Sequence, residues 1–78
     1  MQAVSDDQAR KIIARNVRRL RGDRSLSEIG RECETSAGAI QSIENGDRMP
    51  GAGLLTRLAK CFSVTLDDLV YPPGRRSA

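Results

Sequence analysis

The chain contains no histidine and no tryptophan, and its only aromatic residues are Phe62 and Tyr71. The missing histidine removes the commonest general base and metal ligand at neutral pH. Cys33 and Cys61 stand twenty-eight positions apart, with no C-x-x-C spacing and no histidine partner, which argues against a zinc site. They read as small buried hydrophobes in a reducing compartment, with a disulfide between them as the minor alternative. Without histidine no nucleophile–base pair can be assembled, so neither catalysis nor a cofactor or metal is expected. No apolar run approaches the ~18 residues of a membrane-spanning helix. Residues 1–7 lack the apolar stretch of a secretory signal. The expected location is cytoplasmic, with the nucleoid as the place of work.

What is present fits one small domain of 78 residues. A chain of this length buries only about 60% of its unfolded surface, so modest stability is expected. With 38% apolar and 29% charged residues, it has enough hydrophobic content to fold rather than remain disordered. The net charge is only +3, but it is unevenly spread. Residues 1–24 carry Arg10, Lys11, Arg15, Arg18, Arg19, Arg21 and Arg24 against Asp6, Asp7 and Asp23. Such a segment attracts nucleic acid, anionic membrane or acidic protein, or is a plain solvated helix face.

The spacing predicts helices throughout and no strand. Ser5-Asp6-Asp7-Gln8 is a capping box, followed by Ala9, Ile12, Ile13, Val17 and Leu20 at helical period, so helix 1 spans about 6–21. Gly22-Asp23 ends it. Ser25-Leu26-Ser27-Glu28 is a second capping box, opening a helix in which Leu26, Ile29, Gly30 and Cys33 share a face. Thr35 and Ser36 supply the next N-cap signal, and Ala37, Ile40 and Ile43 face inward until Asn45-Gly46 closes helix 3. After the turn-rich 47–51, residues Leu54, Leu55, Leu58, Ala59 and Phe62 define helix 4. Thr65 caps helix 5, which carries Leu66, Leu69 and Val70 and stops before Pro72-Pro73. The domain is expected over 6–71, with an N-terminal tail at 1–5 and a disordered C-terminal tail at 72–78.

Helices 2 and 3 carry the functional signal. They are short and joined by a tight turn, and Gly30 is the small residue that a close crossing demands. In a helix-turn-helix the second helix lies in the DNA major groove and the first crosses the backbone. The outward positions of helix 3, Ser36, Ala37, Gly38, Gln41, Ser42 and Asn45, are small or able to hydrogen-bond base edges. A bare Gly-to-Ile-to-Ile spacing fits an ordinary helical hairpin equally well.

Three further segments decide between these. Val17-Arg18-Arg19-Leu20-Arg21 closes helix 1, and Ile40-Gln41-Ser42-Ile43-Glu44-Asn45-Gly46 closes helix 3. Arg48-Met49-Pro50 and residues 55–69, ending in Val64-Thr65-Leu66-Asp67-Asp68-Leu69, complete the pattern. On these residues the chain, from about 12 to 70, resembles the lambda-repressor and Cro-like (XRE) helix-turn-helix family. The resemblance implies an all-α, five-helix DNA-binding domain with helices 2 and 3 as the helix-turn-helix. It also implies a transcriptional regulator, a repressor by preference, that binds a pseudo-palindromic operator in double-stranded DNA as a homodimer. Gln41 and Ser42 become the base contacts, Asn45 and Arg48 the phosphate contacts past helix 3, and Arg21 with Glu44 an internal ion pair.

Three departures alter the detail. Helix 2 is about two residues short and lacks the family's phosphate-clamping glutamine, so Ser27 or the free N–H groups beside it take that place. Glu34 stands where the family often has glycine, which requires strain if its φ is positive. Ala37 and Gly38 replace frequent glutamine or arginine, leaving methyl or water-mediated contact near the helix start, where Ser36 serves first as N-cap.

Two other functions fit the same fold: an antitoxin that represses its own operon, with a toxin or antirepressor as protein partner, or an interaction module that has lost DNA binding. A membrane-surface role for helix 1 is disfavoured because its apolar face is needed for the core. For dimerisation, the late apolar residues leave Val70 and Tyr71 as the expected interface.

Overall fold

The structure, a computed structural model, describes residues 5–74. Five helices follow one another: α1 (Asp6–Arg21), α2 (Leu26–Glu32), α3 (Ala37–Glu44), α4 (Ala52–Phe62) and α5 (Leu66–Val70). No strand occurs among the described residues. Full capping boxes open α1 at Ser5 and Gln8, α2 at Ser25 and Glu28, and α5 at Thr65 and Asp68. Ser36 caps α3 by accepting the Ala39 N–H, whereas α4 starts at Gly51 with no side-chain cap. Each box satisfies donors that the first turn leaves without an intrahelical partner, which is why these boundaries are sharp.

Three successive helices end in the same way. At α2 the N–H of Thr35 reaches Gly30 O and that of Glu34 reaches Arg31 O. At α3 Asp47 reaches Ser42 O and Gly46 reaches Ile43 O, and at α4 Val64 reaches Ala59 O and Ser63 reaches Lys60 O. These are Schellman closures, which place one residue in the left-handed region. Only the second uses glycine; the others use Glu34 at φ 59 and Ser63 at φ 58.

The core joins Ile13 and Val17 of α1, Ile29 and Cys33 of the α2 end, Ile40 and Ile43 of α3, Leu54, Leu58 and Ala59 of α4, and Leu69 of α5. α1 packs against both α3 and α5, and α2 lies against α3. Gly30 closes that second contact. A Cβ there would lie 2.8 Å from Ser36 C and 2.9 Å from Ala37 N, and these backbone atoms cannot rotate aside.

One inward assignment changes. Ala39, not Ala37, is the third buried apolar residue of α3; Ala37 is half-buried at the edge. Ala39, Ile40 and Ile43 share an arc of about 100° on a 3.6-residue helix, and Ala37 falls outside it. Leu66 remains 47% exposed while Leu69 is fully buried. A helix of five residues presents little more than one turn to its neighbour, and its first residue lies beyond the contact.

One buried polar residue ties the two ends of the fold together. Asn16, with no exposed surface, donates from Nδ2 to Leu69 O at 2.7 Å and to Tyr71 O at 3.0 Å. It thereby pairs the carbonyls that α5 leaves open. Of the residues assigned to tails, 1–4 and 75–78 lie outside the described residues; Ser5 is the N-cap of α1 and Pro72 is half-buried.

Candidate nucleic-acid interface

α3 is held from behind by its apolar residues and turns a continuous polar stripe outward. Gly38, Gln41 and Asn45 are exposed and Ser42 is half-buried, while Ala39, Ile40, Ile43 and Glu44 are buried. The spacings 38–41–45 and 38–42 place the four outer residues on one face. Ala37 flanks this face at the helix start. Ser36 has its hydroxyl engaged in the cap, accepting the Ala39 N–H at 3.0 Å. Ser27, on the first turn of α2, is exposed, and Arg48, in the loop after α3, is exposed without an ion-pair partner among the described residues. Asn45 ends α3 as its C-cap.

The end of the stripe is fixed by charge. Glu44, with its side chain 4% exposed, accepts Arg21 Nε at 2.6 Å and Arg21 Nη2 at 2.9 Å, a bidentate fork. The carboxylate's hydrogen bonds raise the Arg21 pKa above its ordinary value against the opposing effect of burial. Arg21 also donates to Arg24 O at 2.7 Å, and Arg24 returns bonds to Arg21 O and Leu20 O. Arg24 therefore closes two of the open carbonyls of α1, while Arg21 reaches the loop beyond it and Glu44 of α3. Arg24 further contacts Glu32 at 3.7 Å and lies 5.6 Å from the Phe62 ring centroid.

Arg18 carries more of the site than its place in a charged segment suggests. Its Nε is 3.7 Å from Glu44 Oε1 while its side chain stays 67% exposed, so a mobile cation stands beside the end of α3. The signal for it lies in the sequence: Arg18 and Arg21 are three positions apart and share a face of α1. Arg57 gave no such signal. It donates from Nε to Cys33 O at 3.0 Å, tying α4 to the turn before α3. Val70 and Tyr71 line a groove with Gln8, Lys11, Ile12, Arg15 and Pro72. Val70 is half-buried and Tyr71 is 47% exposed.

Two solved structures share this architecture. A hypothetical transcription factor, NHTF, from Neisseria superposes with a TM-score of 0.78 at 20% identity, covering 94% of this chain and 86% of that one. The SOS-response transcriptional repressor LexA from Eubacterium rectale superposes with a TM-score of 0.82 at 18% identity, covering 96% and 82%. At these identities the likeness is one of fold. No curated protein sequence matches the chain. The sequence model of the helix-turn-helix family matches residues 15–69, which span α2, α3 and α4 with the C-terminal part of α1 and most of α5. The chain belongs to the XRE-type helix-turn-helix family with the lambda-repressor-like fold, a family of DNA-binding transcriptional regulators.

Proposed function

We propose that this protein is a sequence-specific repressor that binds a pseudo-palindromic operator as a homodimer, with α3 in the major groove. The observation that carries the proposal is the polar stripe of α3, Gly38, Gln41, Ser42 and Asn45, backed by a buried apolar face and braced at its end by Glu44 and Arg21. Gln41 and Ser42 read base edges, and Ala37 and Gly38 allow the helix start to approach closely, with methyl or water contacts there. Ser27, Asn45 and Arg48 hold phosphates, joined by Arg18, and the Ser36 cap orients the helix start. The protein acts by binding and performs no chemistry.

Dimerisation is assigned to Val70 and Tyr71, beside which the groove along α1 offers Ile12 and Pro72. The experiment is selection of bound duplexes from a random pool by purified protein, followed by a salt titration on the selected site. A two-fold symmetric motif is expected, with affinity falling steeply as salt rises. A selected pool without any motif would falsify sequence-specific binding. A second reading draws on Ala37 and Gly38, which bring no hydrogen-bonding side chain: an interaction module, or an antitoxin docked to its toxin. Absence of DNA binding at low salt selects the module.

A further inference from the structure

Two free cysteines lie behind the turn that leads into α3. Cys33 is the C-cap of α2 and 1% exposed; Cys61 is on the last turn of α4 and half-buried. Cys61 packs against the core cluster that contains Cys33, and its Sγ donates to Oε1 of Glu32, the residue next to Cys33, at 3.5 Å. One helical turn before Cys61, Arg57 holds Cys33 O, so the end of α2 and this face of α4 are clasped at two points. A surface groove lined by Glu32, Glu34, Arg57, Lys60 and Cys61 opens the outer thiol to solvent. Burial pushes the Cys33 thiol up to about 12, so it stays protonated and is not the first to react.

We propose that Cys33 and Cys61 form an oxidisable dithiol that a peroxide closes into an intramolecular disulfide, shifting the start of α3. The Cys61 sulfur attacks one peroxide oxygen; the O–O bond breaks, and the Cys61 proton leaves with the departing hydroxide as water. The Cys61 sulfenic acid is then attacked by the Cys33 sulfur. The S–S bond forms as the S–O bond breaks, and the Cys33 proton leaves with the hydroxide as a second water. Two thiols lose two electrons and one peroxide gains them.

The mechanical consequence follows from the packing. The two cysteines are free, and a disulfide needs a sulfur separation of about 2.05 Å, inside van der Waals contact, so closure draws the C-cap of α2 toward α4. Cys33 is followed at once by Glu34, already at φ 59, and then by Ser36 and Ala37, whose backbones rest on Gly30 with no free space. Movement of the α2 end is therefore passed to the first turn of α3.

The test treats the reduced full chain with hydrogen peroxide and reads intact mass and amide NMR shifts. Expected are the loss of two hydrogens within one chain, reversal by dithiothreitol, and shift changes concentrated at residues 33–38. Cys61→Ser shows neither change; Cys33→Ala stops at a sulfenic acid on Cys61 that dimedone traps. Disulfides only between chains, irreversible oxidation of Cys61 without closure, or closure that leaves 33–38 unmoved overturns the proposal. Resting on the DNA-binding reading above, the closed form binds a duplex about tenfold more weakly. Equal affinity of the two forms overturns that coupling. Reduced protein that binds no DNA overturns the proposed function instead, and the mass and amide readouts still decide the dithiol.

Discussion

Gln41 and Arg48 are both exposed, and the proposed function assigns them different tasks. Gln41 stands on a rigid helix and offers a paired donor and acceptor, the combination that matches one base edge. Arg48 follows α3 in a loop and offers a cation with donors and no acceptor, suited to phosphate oxygens. Gln41→Ala is expected to weaken the selected site by about 1–3 kcal/mol and leave random DNA nearly unaffected. Arg48→Ala should weaken all sequences and flatten the salt slope by about one unit, both read by anisotropy titration. Identical behaviour of the two variants on both DNAs would show that the roles are misassigned. The Arg21–Glu44 fork invites a second comparison. Its carboxylate is almost fully buried but its guanidinium is 20% exposed, so neither the fully buried nor the surface value applies. A double-mutant cycle by urea unfolding should give a coupling of about 1.5–3 kcal/mol, the range for hydrogen bonds to charged groups. A result near the 0–1 kcal/mol typical of surface pairs would mean that solvent screens the fork.

At the scale of the helix, the informative feature is the end of α2. The helix-turn-helix requires a sharp turn there, and a Schellman closure supplies it, but with a glutamate in the left-handed position. For a residue with a Cβ this conformation costs about 1–2 kcal/mol. Replacing it by glycine removes that cost while adding roughly 0.5–1 kcal/mol of unfolded-state entropy. Glu34→Gly should therefore stabilise the domain by about 0.5–1 kcal/mol, seen as a higher urea midpoint with an unchanged slope. Destabilisation would show instead that the Glu34 side chain makes a contact worth more than the strain. Gly30 is the opposite case: its φ is unremarkable, and its need for glycine comes entirely from the backbone of Ser36 and Ala37 pressed against it.

Two predictions belong to the whole molecule. Stability should fall at alkaline pH through Cys33, whose folded pKa is raised to about 12 by burial. The sign follows from linkage: the native state keeps a proton that the unfolded state has lost above an ordinary thiol pKa of about 8.5. The contribution is full below that value and is lost as pH rises toward the folded value. Urea midpoints at roughly pH 8 and pH 10 should therefore separate more for the native sequence than for Cys33→Ala; equal separations would exclude Cys33 as the source. The proposed dimer is the second case. Val70 and Tyr71 form a small patch, too small for a tight complex alone, so weak self-association strengthened by DNA is expected. Val70→Lys combined with Tyr71→Lys adds charge beside Lys11 and Arg15 and should leave a monomer by sedimentation, with helical content by circular dichroism retained. A tight dimer that survives this change places the interface elsewhere, on α1 or α4.

The sequence by itself determined the five helices and their order, because the information is local. Ser5 with Gln8, Ser25 with Glu28, and Ser36 lie within three residues of the N–H groups they serve, and the apolar period needs only one helix to be read. The family was legible for the same reason, since its motifs lie in short segments at the ends of α1 and α3. Tertiary structure decided whatever depends on partners distant in the chain. Asn16 looks like an ordinary polar residue on α1 until α5 arrives with two open carbonyls, fifty-three and fifty-five positions later. Arg18 became a cation beside α3 only when Glu44 was brought to it, and Ala39 took the buried place of Ala37 through the phase of α3 against its neighbours. Arg57 reached Cys33 O, and Cys61 reached Glu32, because burial of Leu54, Leu58 and Ala59 sets α4 beside the end of α2. Hydrophobic burial is non-directional, so the pattern shows which residues must leave water, and only the packed chain shows which of them touch.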